Sequence, residues 1–425
     1  MINRIFNFFS SLRLTVALLV CALLLVFIGT LAQVKFGLYV VQAEFFRNVF
    51  VYWHPKGTSW KIPILPGGWL LGGMLLLNLI AAHVKRFQFT KKKIGIFTIH
   101  AGLIFLLLGQ FFTEVFQRES NIRFEEGQTR NYSEDSRHNE LAVIDVSNPD
   151  HDEVYSIPET LLAKGGEIHD AKLPFSIRVK NYFENSEPAG PMTGDGNKIK
   201  ATDGIGKRLQ FSQAPLVATM DNENKPAALI EIASDKGAIG EWTVSTWLTK
   251  YPWSSFLDEQ MGSMFGKELH QTQTFQHGGH TYQIALRPIR YYKPYTITLL
   301  KFRNDKYRGT DIPMNFSSKI HLSDPKRGED RDVVIRMNEP LRYAGETYFQ
   351  AGFDPNNDKV TVLQVVKNPA AITPYLACSL VALGLLIQFL MHLVTFGRRQ
   401  KNKPQSQNIS SKTKPAAMTT GKGAL

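Results

Sequence analysis

Ile94-Gly-Ile-Phe-Thr-Ile-His100-Ala-Gly-Leu-Ile-Phe-Leu-Leu-Leu-Gly109-Gln-Phe-Phe-Thr113 holds twenty residues without one Asp, Glu, Lys or Arg. At ~1.5 Å per residue, a helix of that length spans a bilayer core of ~30 Å. Three further runs are equally free of charge: Leu14–Val34, Ile62–His83 and Asn368–Gly397. Everything between the third and fourth runs is polar and mixed. The pattern predicts a membrane protein with four transmembrane α-helices and a large β-rich extracytoplasmic domain between the third and fourth spans. Residues 1–113 form the membrane domain, with spans near 14–34, 62–83 and 94–113. Residues 114–367 form the β-rich domain, 368–397 the fourth span and 398–425 a basic cytoplasmic tail.

The net charge of +12 comes from the segments beside the spans. Lys85, Arg86, Lys91, Lys92 and Lys93 crowd one short turn, and the tail opens with Arg398-Arg399. Residues 114–367 carry 31 Lys and Arg against 36 Asp and Glu, a net −5. The basic balance is therefore a topology signal, and it excludes a nucleic-acid footprint. By the positive-inside rule both termini and the 85–93 turn lie in the cytoplasm, and the β-rich domain lies outside. The 34–64 loop dissents mildly with +3. A cleaved signal peptide is the alternative for the N-terminus, with Arg4, Arg13, an apolar stretch and Thr30-Leu31-Ala32. The length of the apolar stretch and the three spans that follow favour a retained helix. Cys21 and Cys378 both sit inside spans, and no CxxC motif exists, so the chain is not itself a thiol–disulfide oxidoreductase.

Phe45, Phe46, Val49, Phe50 and Trp53 recur at helical spacing, which predicts an interfacial helix near 38–53 on the outer leaflet. Pro63 and Pro66 suit the start of the second span. Spans two and three, joined by the basic turn, are expected to be antiparallel neighbours. Gly72-Gly73, Gly95, Ala101-Gly102 and Gly109 offer small residues for close contact. Short β-branched segments predict strands at Leu141–Val146, Phe175–Val179, Ala228–Ile232, Trp242–Trp247, Tyr282–Leu286, Tyr295–Phe302, Lys319–Leu322, Val333–Met337 and Lys359–Val366. A sandwich or open barrel is expected. Residues 185–226, poor in large apolar side chains, read as a long loop or insertion. The Lys/Ser/Pro-rich tail from Lys401 reads as disordered.

Three histidines lie within spans: His83, His100 and His392. Each falls towards the cytoplasmic end of its span, so the three share roughly one layer of the membrane. Neutral imidazole is a good iron ligand and has no permanent charge to desolvate. Interfacial snorkelling by His83 and His392, and a helix–helix hydrogen bond from His100, fit the same positions. His277-Gly-Gly-His280, with His270 upstream, resembles a metal-binding HxxH. Its strand-like flanks make Gly278-Gly279 a two-residue hairpin turn instead. Tyr291-Tyr292-Lys-Pro-Tyr295 and Trp242, Trp247 and Trp253 read as β-core and its aromatic edges. His138, His151, His169 and His321 fall in polar loops or strand edges. No phosphate loop, nucleophile elbow or paired catalytic carboxylate occurs.

Several motifs together resemble the ResB-like proteins of system II cytochrome c biogenesis. They are Ser10-Ser11-Leu12-Arg13-Leu14-Thr15, Gly29-Thr30-Leu31, Asn78-Leu-Ile-Ala-Ala-His83-Val-Lys-Arg-Phe87 and Lys93–Gly102. After the third span come Glu119-Ser120 and Glu126-Gly127. The densest set is C-terminal: Tyr307-Arg-Gly-Thr310, Ile312-Pro313, Phe316-Ser317-Ser318, Met337-Asn-Glu-Pro-Leu341, Tyr343-Ala-Gly345, Tyr348-Phe-Gln350 and Val365-Val-Lys-Asn-Pro369. The resemblance covers nearly the whole chain except 185–270 and the tail, and it is to the His-containing branch.

The resemblance implies a multi-pass protein of the bacterial cytoplasmic (inner) membrane that works with a WWD-containing membrane partner of the ResC/CcsA type. The pair would carry haem b outward as transported substrate and present it to the CxxCH sites of apocytochrome c. Thioredoxin-like proteins that reduce thiols are further implied partners. His83 matches the position that supplies one axial haem ligand, the other coming from the partner. His100 matches a histidine of the haem pocket with no assigned role, and His392 is a third candidate. This chain has no WWD segment, so by the family's logic it is an accessory subunit of a holocytochrome c synthase (haem lyase) complex. It has no catalytic constellation of its own. A scaffold that docks apocytochrome without touching haem, and a membrane sensor with a β ectodomain, are the alternatives.

Overall fold

The structure is a computed structural model, and it describes residues 2–53, 55, 60–85, 90, 93–189, 198–217, 224–249, 272–310, 313–354 and 357–401. The tail beyond 401, Trp253 and His270 lie outside the described residues. A short helix α1 (Ile2–Phe9) leads into α2 (Leu12–Val41), which bends at Gly37 and closes with a π-turn at Gln42–Phe46. Strands β1 (Phe50–Trp53) and β2 (Ile62–Pro66) then form an antiparallel hairpin. Helices α3 (Gly68–Lys85) and α4 (Ile94–Phe116) follow. Four helices of the described chain are long and apolar enough to cross a membrane. Most of their Leu, Val, Ile and Phe side chains face outward, Leu23, Phe27, Leu77, Phe112 and Phe389 among them. A lipid solvent permits that arrangement and water does not.

Of the interfacial helix expected near 38–53, residues 38–46 are helical, as the end of α2 and its π-turn, and the hairpin corrects the rest, where Phe50–Trp53 is β1. Proline biases the residue before it towards extended backbone, so Ile62 and Leu65 resist helix and the third helix begins only at Gly68. Phe45 and Phe46 turn inward, while Phe50 and Trp53 stay exposed. Phe45, Phe46, Val51 and Leu65 pack on Leu18, Leu25 and Leu71, sealing α2 against α3 at the end nearer the β-domain. At the other end Asn78 is buried. Its Nδ2 donates to the carbonyls of Phe9 (2.6 Å) and Ser11 (3.2 Å), and its Oδ1 accepts from Thr15 Oγ1 at 2.6 Å. An amide inside a span is costly unless satisfied, and here it pins the α1–α2 junction to α3.

The β-domain comprises β3 (Arg118–Glu125), β4 (Thr129–Asp145), β5 (Glu153–Pro158), helix α5 (Glu159–Lys164), β6 (Gly166–Ile168), β7 (Ser176–Phe183), β8 (Ser186–Pro188), β9 (Lys198–Ile199), β10 (Phe211–Gln213), β11 (Ala227–Ser234), β12 (Gly237–Ser245), β13 (Gln273–His277), β14 (His280–Lys306), β15 (Pro313–Asp324), β16 (Glu329–Arg336), β17 (Leu341–Tyr343), β18 (Glu346–Asp354) and β19 (Asn357–Lys367). The chain re-enters the apolar layer through α6 (Thr373–Lys401). Every strand expected from the sequence is present, and all described pairings are antiparallel or short bridges. The 185–226 region is not wholly loop: β8, β10 and β9 form a small sheet over Phe183, Ile199, Leu209 and Phe211.

Two long strands organise the domain. The first half of β14, with β4, β5 and β13, faces the sheet β12-β11-β7-β6. Between them lie Leu141, Val143, Ile284 and Leu286 from one layer and Ile177, Ile230, Ile232 and Val244 from the other. The second half of β14 joins β15, β16, β3, β19, β18 and β17 around Ile297, Leu299, Ile320, Leu322, Tyr348 and Leu363. The β4–β14 register slips between Tyr292 and Ile297, at Lys293-Pro294-Tyr295. Proline lacks the N–H a ladder needs, so the strand bends there. The aromatic motif is thus the elbow between two cores. At the elbow Lys293 and Glu346 form a buried ion pair, and the hydroxyls of Tyr295 and Tyr348 each lie 2.8 Å from Glu346 Oε2. Burial pushes the Glu346 carboxyl up. Lys293 and the two tyrosines more than offset this and hold it below the usual carboxylate range.

The His277-Gly-Gly-His280 motif is a hairpin tip, as its flanks predict. Gly278 and Gly279 have φ +60° and +83°, the two positive angles of a type I′ turn. His277 and His280 are register partners, and His280 Nδ1 lies 2.8 Å from Asp145 Oδ2.

Candidate functional site

Helix packing decides which histidines meet. Gly95, Gly102 and Gly109 stand seven residues apart, two helical turns each, and form one stripe on α4. A Cβ at Gly102 would lie 3.0 Å from the Ala377 carbonyl, and one at Gly95 would lie 2.9 Å from the Gly384 carbonyl. One at Gly109 would meet the Thr373 side chain at 2.2 Å. The stripe is therefore the seam with α6, not with α3 as the sequence suggested. Gly72 and Gly73 on α3 have open space beside them. Small residues let backbones approach closely, and here they lock the third and fourth spans together.

The opposite face of α4 carries Phe97 and His100, one turn apart, and this face meets α3. The His83 ring lies 4.8 Å from the Phe97 ring, tilted 43°, and 5.8 Å from the His100 ring at 88°. Two of the three candidate histidines are thus in contact across spans two and three. His392 is not part of the pair. It sits exposed on α6, which packs on the glycine face of α4. Its Nε2 lies 2.8 Å from Gln388 Nε2, one turn back on the same helix. Position along its apolar run was legible for each of the three histidines. Facing was not, because it depends on which helices pack.

Sequence reasoning missed two residues here. Phe97 lies three positions before His100, a spacing that shares a helical face. Asn78, the amide that seats α3, stands out only as a polar residue within an apolar run. On α3, Asn78 and His83 point to different neighbours, Asn78 to α1–α2 and His83 to α4. Neither α3 nor the first five turns of α4 contains a carboxylate; the first is Glu114, which pairs with Arg47 at 2.5 Å near the β-domain. The histidine pair therefore sits in a layer of imidazole and aromatic rings without a fixed negative charge.

Two clefts bear on how the β-domain meets other surfaces. One, of about 590 Å³, lies where Tyr39 at the end of α2 meets Arg137, His138, Glu159 and Tyr182. The Arg137 guanidinium stacks 4.0 Å from the Tyr39 ring centre, joining membrane helix and domain. Behind it Asp135 accepts from the backbone N–H of Arg137 and His138, both at 2.8 Å, and from the Tyr291 hydroxyl at 2.7 Å. Burial pushes the Asp135 carboxyl up; these bonds and the His138 ring outweigh it and bring it down to about 2. The Asp135 hydrogen bond raises His138 above its ordinary value. The second cleft, about 620 Å³, is an exposed sheet face bearing Lys301, Arg303, Lys319 and Arg336 around Asp305 and Ser317. No group of three His, Cys, Asp or Glu among the described residues is arranged to hold a metal ion.

Residues 256–362 match the model of the ResB-like family. The matched segment takes in β13 to β18, the hairpin tip, the elbow and the basic sheet face. The histidine-bearing helices α3 and α4 lie outside it. The chain is also similar to Protein NrfI of Wolinella succinogenes, at 31% identity over 107 residues. That alignment covers 25% of this chain and 12% of NrfI, so it spans about an eighth of the curated relative's length.

Proposed function

We propose that this ResB-like chain serves cytochrome c biogenesis as the haem-handling subunit of a system II synthase. The observation that carries the reading is the family match over 256–362, in a chain with four apolar helices and a β-domain between the third and fourth. In this reading haem is cargo. His83, at the end of α3 away from the β-domain, supplies one axial nitrogen to its iron, and a histidine of a WWD-containing partner supplies the other. Neutral imidazole suits the position because it brings a donor without a charge to desolvate. The orientation follows the positive-inside rule: histidine pair towards the cytoplasm, β-domain outside the inner membrane. Haem would enter low on the helices and leave towards the β-domain, where apocytochrome c offers its CxxCH thiols. The chain contributes binding and positioning, and thioether formation is shared with the partner.

The test is the absorbance spectrum of wild type and His83→Ala, each copurified with the WWD-containing protein encoded in the same genome. Haem content is expected to fall in His83→Ala, cytochrome c maturation to be lost, and added imidazole to restore part of both. Full haem content with an unchanged spectrum in His83→Ala would make His83 an interfacial residue and favour a scaffold that docks apocytochrome without haem.

A further inference from the structure

Arg118 opens β3, Lys367 closes β19, and the two are register partners. Opposed residues on neighbouring antiparallel strands hold their Cβ atoms ~5 Å apart, and like charges there repel. Both side chains are exposed. A third cation stands close by. Burial pushes the Lys293 ammonium down, and Arg118 and Lys367 push it further, against the pull of Glu346. The junction between helices and β-domain therefore gathers positive charge at a cost to the fold.

The carboxylates of the junction do not answer that charge. Glu114 pairs with Arg47, and Glu346 with Lys293. Glu119 accepts from the side-chain amides of Gln117 at 2.6 Å and Gln364 at 3.3 Å. Asp135 accepts from Tyr291 and from the backbone of Arg137 and His138. Among the described residues neither Arg118 nor Lys367 forms an ion pair. The Arg118 guanidinium lies 4.7 Å from the centre of the Tyr291 ring. Such stacking fixes its plane and leaves the N–H donors at its edge, a fork that matches the oxygens of a phosphate.

Height decides where the anion comes from. The charge-free run on α4 ends at Thr113. Arg118 follows five residues later, so at ~1.5 Å per residue it stands ~7 Å beyond the hydrocarbon. The polar layer on each side of a bilayer is ~5–7 Å thick. The register puts Lys367 at the same level. We infer that Arg118 and Lys367 together bind the phosphate of a phospholipid headgroup in the leaflet nearer the β-domain. The guanidinium donates through its fork and the ammonium from the opposite strand, so one anion relieves the repulsion between both. Inorganic phosphate offers the same acceptor oxygens, but only a lipid is delivered to this level by the spans themselves. The bound headgroup would tie the base of the β-domain to the bilayer surface.

The experiment counts the phospholipids that the detergent-purified full chain retains, by native mass spectrometry, and titrates phosphatidylglycerol back after delipidation. Arg118→Gln with Lys367→Gln is expected to retain one phospholipid fewer than wild type. Its tightest site should bind phosphatidylglycerol about 30-fold more weakly, the ratio for two cations at a membrane surface. Arg118→Lys with Lys367→Arg keeps both charges and should keep the lipid. Lys301→Gln with Arg303→Gln removes the same charge beside the far end of β3, where Glu126 accepts from the Phe302 N–H, and should match wild type. If the neutralised double variant does not accumulate, Arg118→Gln and Lys367→Gln are read singly, each about 5-fold weaker. Wild-type lipid count and affinity in the neutralised variants overturn the site. An equal loss in the Lys301 and Arg303 variant also overturns it, because net charge alone would then explain the effect. Displacement of the retained lipid by excess inorganic phosphate would make the pair a site for the free anion and overturn the bilayer as its source.

Discussion

Lys293 Nζ lies 2.7 Å from Glu346 Oε2 at the elbow where the two cores of the β-domain join. Only 4% of the lysine side chain and 14% of the glutamate are exposed. Removing one partner of such a pair leaves an unmatched buried charge, which typically costs ~3–5 kcal/mol. Lys293→Met and Glu346→Leu are each expected to lower the unfolding temperature of the detergent-solubilised chain by several degrees. The double replacement should recover most of the loss, since apolar side chains of similar volume often substitute for a buried pair without penalty. A double variant no better than the worse single would refute this account.

Asp135 and His138 set a pH window. Asp135 is held at about 2 in the folded chain against an ordinary 3.8, so its contribution is present above pH 3.8 and fades as pH falls towards 2. His138 is raised above 6.5, so its contribution is complete below pH 6.5 and fades as pH rises through the folded value. Both act together between roughly pH 4 and pH 6.5. His138 is 73% exposed, so the stability effect is small and its titration is the better readout. Nuclear magnetic resonance should place His138 above 6.5 in wild type and bring it back towards that value in Asp135→Asn.

The seam between α4 and α6 makes a sharp contrast with α3. Gly102→Leu would drive its side chain into the Ala377 carbonyl and Val381, and should abolish accumulation of the chain in membranes. Gly72→Leu meets open space and should be tolerated. Equal effects at both positions would show that helix propensity, not contact, governs.

Orientation is testable by thiol labelling in a background without Cys21 and Cys378. A cysteine at Ser323, on β15, should react with a membrane-impermeant probe from outside the cell, and one at Ser406 only after permeabilisation. Labelling of Ser406 in intact cells would invert the topology.

The four helices were legible because absence of charge over twenty residues has no common explanation except lipid. The hairpin tip was legible because Gly278-Gly279 has a distinct backbone signature. β3 was harder: Arg118–Glu125 places only Ile122, Phe124 and Ser120 inward among charged neighbours, and its strand character comes from pairing with β19. The extended start of the second run was hidden by its hydrophobicity, although Pro63 and Pro66 carried the signal. At the candidate site, the positions of His83, His100 and His392 along their apolar runs could be counted in the sequence. Contact between His83 and His100, and separation from His392, could not. That follows from a glycine stripe whose partner was one of two possible helices.

Arg118 and Lys367 face each other in the register pair of β3 and β19 nearest the helices, separated from the end of α4 by one residue and from the start of α6 by a short turn, 368–372. Asn368 Nδ2 bonds both Thr113 and Gln117 across the same junction, at 3.3 Å each. The helix pair therefore continues into a strand pair through Gln117 on one side and a hydrogen-bonded turn on the other. Such a mast fixes the standoff and heading of the β-domain above the bilayer. If the chain serves cytochrome c biogenesis as proposed, a cytochrome precursor would meet the same face at the same height, and lengthening the mast by a few residues would carry that face away from any partner held in the membrane.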